Sequence, residues 1–257
     1  MMELIKDESA IKNMRKGGEI LARILNEISR NIQAGTTTIE IENSINRLCL
    51  KYGVKPAFKG YQPAGSKAYG FSSCISVNEE VVHGLPSSRK ISEGDVVTVD
   101  MGVLYNGHIT DSAITVPVGE ISDNDKKLLK VTEGAMFAGI DKVKDGARVG
   151  DISCAIQEYT ERNWFNVFKS LAGHGVGKEL HEEPTIPNFG SKNTGMVLKA
   201  GMTLAIETMV TSGDGELNLK NDGWTLESAD GKNAAQFEHT VLVTRGGYDI
   251  LTAIPPQ

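Results

Sequence analysis

At 257 residues, 40% hydrophobic and 23% charged, the chain has the composition of a soluble globule, one large domain or two intimate halves, with no bias toward disorder. A net charge of -6 without a basic patch excludes a nucleic-acid footprint. No apolar stretch reaches the length of a signal core or a membrane span, so a cytoplasmic location without a membrane partner is expected. Cys49, Cys74 and Cys154 are odd in number, far apart and without metal-ligand spacing, which fits reduced thiols.

In chain order, Ile11, Met14, Leu21, Ile24, Ile28 and Ile32 form an apolar stripe at helical period, weakened locally by Gly17-Gly18. A second helix follows. Thr37 with Glu40 has the capping-box pattern, Ile41, Ile45, Leu48 and Tyr52 make its apolar face, and Gly53 is placed to end it. Next come two β-rich runs around Asn106-Gly107, a two-residue hairpin turn. That turn pairs Tyr105 with His108, Leu104 with Ile109, Val103 with Thr110 and Gly102 with Asp111. Asp100 then shares a face with Asp111 as its diagonal neighbour, roughly 7–8 Å away at the backbone. A helix from about Ser122 to Val143, a turn at Gly146 and a helix from Asp151 with Ile152, Ile156 and Tyr159 on one face repeat the opening order.

The repeat is numerical as well. Gly35 and Ile41 match Gly146 and Ile152 at an offset of 111, and the strand ending in Asp100 matches the one ending in Glu207 at an offset of 107. Two αβ halves related by a pseudo-twofold are expected, about residues 1–120 and 121–257 of a single catalytic domain, with functional residues converging between them.

Five residues have contexts that suit metal ligands: Asp100, Asp111, His174, Glu207 and Glu238. Asp100 closes the apolar run Val96–Val99, where an unpaired charge is costly, and Glu238 enters an equally apolar strand. His174 is framed by glycines that leave its imidazole accessible. Four carboxylates and one imidazole carry about four negative charges, enough to neutralise two divalent cations of hard or borderline type, which points to a hydrolytic two-metal site. His83 and His181, taken singly, read as ordinary surface or core histidines.

The motifs Ser76–Pro86, the two-aspartate hairpin, Gly173–Gly177, His181–Pro184 and Gln236–Thr240 together resemble a type I methionine aminopeptidase over nearly the whole chain. The resemblance implies the α+β pita-bread fold, a curved antiparallel sheet covered by helices, with a dinuclear metal site between the halves. It further implies that Asp111 and Glu238 bridge two divalent ions (Co, Mn, Fe(II) or Zn), that Asp100 chelates one, and that His174 and Glu207 complete the other. Only 33 positions separate His174 from Glu207, too few for the type II insertion, and the first helix begins almost at once, so a short bacterial-type form is expected.

By the same resemblance Glu207 is the general base, His181 stabilises the oxyanion, and His83 bonds the scissile amide nitrogen. Tyr69, Cys74, His83, Leu180 and Trp224 are implied to form the wall of a methionine pocket, and His181 to bind substrate beside them. Leu180 stands where an aromatic is common, Thr208 where proline is usual, and the loop Gln62–Lys67 is longer than in the shortest relatives. The implied substrates are N-terminal segments of nascent polypeptides with a small second residue, met by a monomer whose association with the ribosome is at most transient. The chain's own Met1 is expected to be retained before the bulky Met2. An Xaa-Pro metallopeptidase of the same fold and a non-enzymatic pita-bread binding protein are the alternatives.

Overall fold

The computed structural model of the protein describes residues 4–63 and 67–253. The expectation for Met1-Met2 and the Ala64-Gly65-Ser66 portion of the lengthened loop lie outside them. The chain opens with α1 (Glu8–Ser29) and α2 (Thr38–Tyr52), then β1 (Lys55–Pro56), β2 (Cys74–Val77), β3 (Glu80–Val82) and the hairpin of β4 (Val96–Tyr105) and β5 (His108–Pro117). The order returns in α3 (Asp123–Ile140), α4 (Val149–Arg162), β6 (Asn166–Val167), β7 (Ala172–Gly175), β8 (Glu182–Pro187) and β9 (Thr203–Thr211). Finally come β10 (Leu217–Leu219), β11 (Leu226–Ser228), β12 (Ala234–Thr244) and β13 (Gly247–Ile250).

Local chemistry explains the helix starts. Asp7 accepts the Ala10 amide at 2.7 Å to open α1, while Thr37 and Glu40 bond each other's backbone amides reciprocally at the start of α2, a device worth about 1 kcal/mol. Gly53 ends α2 in the left-handed region at φ 68°. Three boundaries differ from the sequence expectation. α1 stops at Ser29, so Ile32 packs against the core from the following turn, and α3 stops at Ile140, leaving Val143 buried in a turn. α4 begins two residues early because the Asp151 carboxylate accepts the Arg148 amide at 2.9 Å, which makes Asp151 part of the cap. Gly17-Gly18 does not break α1: a side chain at Gly18 would run into the Leu251 carbonyl, so the glycine permits close approach of helix and chain.

Among the described residues the main sheet has ten strands along the antiparallel path β1-β4-β5-β12-β9-β7-β8, with β2 beside β4, β6 beside β9 and β13 beside β12. The hairpin register is the one read from Asn106-Gly107, with Gly102 opposite Asp111 and positive φ at both turn residues. β3, β10 and β11 form a separate three-stranded sheet. Each half has its own core. Leu21, Ile24 and Ile45 pack against Val97, Val99 and Met101 in one, and Leu128, Met136 and Ile152 against Leu204, Ile206 and Val241 in the other. Each such fully buried side chain contributes roughly 1.5–3 kcal/mol.

The pseudo-twofold is written in hydrogen bonds. Gly35 donates to Ile91 O at 2.8 Å as Gly146 does to Leu198 O at 2.9 Å, and Thr38 to Arg89 O as Val149 to Met196 O, both at 3.0 Å. Isolated bridges Thr37–Lys90 and Arg148–Val197 repeat the same offsets, and β1 lies on Val103-Leu104 of β4 as β6 lies on Val210-Thr211 of β9. The halves meet where β5 pairs with β12, Ala113 opposite Glu238.

Candidate metal centre

The register builds the site. Asp100 on β4, Ala113 on β5, Glu238 on β12 and Glu207 on β9 stand directly opposite one another in a row across four strands. Asp111 lies two residues from Ala113 on the same face, and His174 on β7 pairs with Ala205, two residues from Glu207. The methyl group of Ala113 leaves space between the acids on either side. Ligand atoms of Asp111, His174 and Glu238 come within 4.8 Å of one another, and His174 Nε2 lies 3.6 Å from Glu207 Oε1. Asp100 and Glu207 flank that trio and are joined through Gln236, whose Nε2 donates to Asp100 Oδ2 and Glu207 Oε2, both at 3.4 Å.

Twin hydroxyls hold the strand positions. Thr240 Oγ1 donates to the Asp111 carbonyl at 2.7 Å and accepts its amide at 2.9 Å, while Thr115 Oγ1 does the same for Gln236 at 2.7 and 3.0 Å. Gln236 is therefore the twofold mate of Asp111, as Ala113 is of Glu238.

Electrostatically, the cluster is short of positive charge. Burial pushes Asp100 up to about 7 against a hydrogen bond from Gln236. Burial, then the charges of the neighbouring carboxylates, hold Asp111, Glu207 and Glu238 well above the usual carboxylate range. Asp100 Oδ1 is buried with no hydrogen-bond partner among the described residues. Three buried acids, a fourth in Glu207 that is partly exposed to the cavity, an orphaned oxygen and a neutral imidazole fit divalent cations, and the oxygen-rich donor set suits hard or borderline ions.

Orientation of the histidines is set by backbone and by a tyrosine. His174 Nδ1 lies 2.8 Å from the Gly175 carbonyl, which can only accept, so the proton sits on Nδ1 and Nε2 keeps its lone pair. Burial, then the charge of His181, lowers His174 to about 3, so the ring is neutral. His181 lies with its ring 4.3 Å from that of His174, edge to face, and burial in the cleft lowers it also. Its Nδ1 is 2.7 Å from Tyr61 Oη. The loop bearing His181 is tied down by a buried ion pair, Lys6 Nζ to Glu182 Oε2 at 2.6 Å. His83 follows β3 in the left-handed region at φ 60°, a strain of roughly 1 kcal/mol, with its carbonyl held by Thr225 Oγ1 at 3.4 Å. Burial, then the charge of His181, lowers it to about 4.

All five candidate ligands and all of Tyr69, Cys74, His83, Leu180, His181 and Trp224 line one cavity of about 640 Å³. Trp224 stands edge to face with Tyr69 at 5.0 Å. Leu180 is buried in the same apolar cluster as Tyr69 and Cys74. Thr208 points away from the cavity and donates to the Thr132 carbonyl of α3 at 3.0 Å. At the base of the lengthened loop, Gly60 donates to Tyr69 O and Tyr69 to Tyr61 O, both at 2.8 Å.

Sequence reasoning did not single out Phe58, Tyr61, Met209 or Gln236, which share the lining. The signal for Gln236 was within reach, since Thr115 and Thr240 repeat the 125-residue offset that joins Asp111 to Gln236. For Tyr61 no local pattern exists.

Known proteins resemble the chain over nearly its whole length. A family model described as Metallopeptidase family M24 matches residues 12–245. Methionine aminopeptidase 1 of Bacillus subtilis is 44% identical over 253 residues, which cover 98% of this chain and all of the relative. The solved methionine aminopeptidase of Thermotoga maritima superposes with a TM-score of 0.93 at 47% identity, covering 98% of this chain and 99% of the other. Prolidase from Pyrococcus furiosus, at 23% identity and a TM-score of 0.79 over 98% of this chain and 66% of its own, shares the fold. The chain belongs to metallopeptidase family M24 and has its pita-bread fold. Within that family its full-length likeness is to the methionine aminopeptidases.

Proposed function

We propose that the chain is a metal-dependent aminopeptidase that removes the N-terminal methionine from peptides and proteins, with a preference for a small second residue. The observation that carries this reading is the union, in one cavity, of an apolar wall of Tyr69, Cys74, Leu180 and Trp224 with the acid cluster. An unbranched thioether suits the wall. Asp100, Asp111, His174, Glu207 and Glu238 would hold two divalent ions. Such ions, when bound, supply Lewis-acid activation of the water and the carbonyl.

The remaining work falls to side chains. Glu207, whose carboxylate lines the cavity beside His174, takes a proton from the attacking water and passes it to the leaving amine. His181 donates to the oxyanion as it forms, and His83 bonds the scissile amide nitrogen. Seating the free α-amino group at the acid cluster confines the cut to the first residue. Substrates are read as N-terminal segments of nascent polypeptides in the cytoplasm, met by a monomer whose engagement with the ribosome is transient. Among the described residues no helix is long and apolar enough to cross a membrane.

The test is hydrolysis of Met-Ala-Ser beside Leu-Ala-Ser and Ala-Pro peptides by metal-free protein titrated anaerobically with Mn(II) or Co(II). Metal-dependent release of methionine alone is expected. Preferential cleavage of the Ala-Pro peptide would assign the site to Xaa-Pro substrates, and no turnover with either metal would make the fold a binding module.

A further inference from the structure

His174 and His181 sit ring against ring in one cavity, yet their Nδ1 atoms meet different partners. The partner of His174 is a carbonyl, and a carbonyl fixes the proton on Nδ1. The partner of His181 is a hydroxyl, which can donate. Tyr61 Oη makes its one hydrogen bond among the described residues to His181 Nδ1, at 2.7 Å, and its ring meets the imidazole edge to face at 4.9 Å. A phenol donating to Nδ1 leaves the proton of a neutral imidazole on Nε2.

We propose that Tyr61 is a positioning residue that holds His181 as the Nε2–H tautomer, so that the two adjacent imidazoles present opposite faces to the cavity, a lone pair from His174 and a donor from His181. The assignment rests on the aminopeptidase reading for what the donor does, but not for where the proton is. Chemistry demands the distinction. A ligating imidazole needs a bare Nε2, whereas a group that stabilises an oxyanion must offer N–H at the same ring position. Two histidines with the same tautomer would serve only one of these tasks.

Geometry supports the assignment from the loop side. Tyr61 is anchored by Tyr69 N donating to its carbonyl at 2.8 Å and by its own amide donating to Phe58 O at 2.9 Å. Tyr69 in turn donates through its hydroxyl to Ser73 O at 3.0 Å. The phenol that orients His181 is thus fixed to the same backbone as the pocket wall. Burial raises Tyr61 above the usual phenol range, which keeps the hydroxyl a donor at neutral pH.

The experiment is a long-range proton–nitrogen correlation spectrum of the full chain labelled with ¹⁵N-histidine, loaded with diamagnetic Zn(II), and assigned with His181→Ala. His181 is expected to show an unprotonated Nδ1 and a protonated Nε2. Tyr61→Phe, which keeps the ring contact, is expected to mix the tautomers and lower kcat on Met-Ala-Ser by about 2- to 10-fold, in proportion to the lost Nε2–H population, with KM and Zn(II) affinity unchanged. In a His181→Ala background Tyr61→Phe is expected to have no further effect. A proton found on Nδ1 of His181 in the parent chain overturns the proposal, and so does a Tyr61→Phe loss that multiplies with that of His181→Ala. Were the parent chain to release no methionine, the aminopeptidase reading would fall while the spectrum still decided the tautomer.

Discussion

The two halves share a skeleton and differ in what is hung on it. Each has two helices, a short edge strand, a strand beside the long hairpin partner and a long strand ending its apolar run in a carboxylate, joined by matching backbone hydrogen bonds. At equivalent positions the chemistry then diverges: Asp100 matches Glu207, but Asp111 matches Gln236 and Ala113 matches Glu238. The connections diverge further. β4 and β5 meet in a two-residue turn, whereas β9 and β12 are separated by an arm carrying β10, β11 and Trp224. Conversely β6 and β7 lie close in sequence, while β1 and β2 are separated by the loop of Phe58, Tyr61 and Tyr69. The common skeleton supplies the acid row and the unequal connections supply the pocket, so the mixture of likeness and difference is what makes a specific site.

Erasing one difference should have the largest effect. Glu238→Ala copies the Ala113 side of the twofold onto the other and removes an acid from the centre of the row. Loss of at least about a thousandfold in kcat/KM is expected, with metal content measured by elemental analysis falling in step. His181 has no counterpart in the first half's acid row, so His181→Ala should strip catalysis from an intact metal site. A fall in kcat of about 10²- to 10³-fold is expected without loss of metal, and parallel loss of both would sink the assigned role.

Acidity of the row gives a pH test. In metal-free protein the four carboxylates have folded pKa values above their unfolded ones, so the stability they permit is complete below the unfolded values and is lost as pH rises through the folded ones, about 7 for Asp100. His83, His239 and His174, lowered by desolvation to about 4, about 4 and about 3, oppose this only below their ordinary value of 6.5. Above about pH 6.5, where the histidines no longer oppose it, the Tm of metal-free protein should therefore fall as pH rises, and saturating Mn(II) should abolish the fall. A flat profile without metal would mean that the acids are not the strained element. The smallest effect concerns the twin hydroxyls. Thr115→Val and Thr240→Val should each cost roughly 2–3 kcal/mol in denaturant unfolding, and Thr240→Val, which frees Asp111 itself, should weaken Mn(II) binding in calorimetry more than Thr115→Val, which acts through Gln236.

Much of this was legible in the sequence where local rules apply. Asn106-Gly107 determines the hairpin register and so the Asp100–Asp111 diagonal, and glycine turns with matched offsets announce the twofold. Helix ends were displaced where a side chain took part in the cap, as Asp151 does for α4. The lining residues of the two unequal connections were harder. Tyr61 and Met209 owe their place to long-range packing, and no periodicity marks a tyrosine whose partner is 120 residues away.

The pairing of β5 with β12 also governs how the molecule comes into being. The hairpin that carries Asp100 and Asp111 needs only its own turn, but Ala113 meets Glu238 only after a loop of more than a hundred residues has closed, an entropic cost met before any contact repays it. One contact of the first helix likewise waits, that of Gly18 with the carbonyl of Leu251, although its apolar face packs on the nearby hairpin. A chain emerging during synthesis thus displays two aspartates on an open ribbon long before it has a cleft, and its ability to retain metal reports that folding has finished.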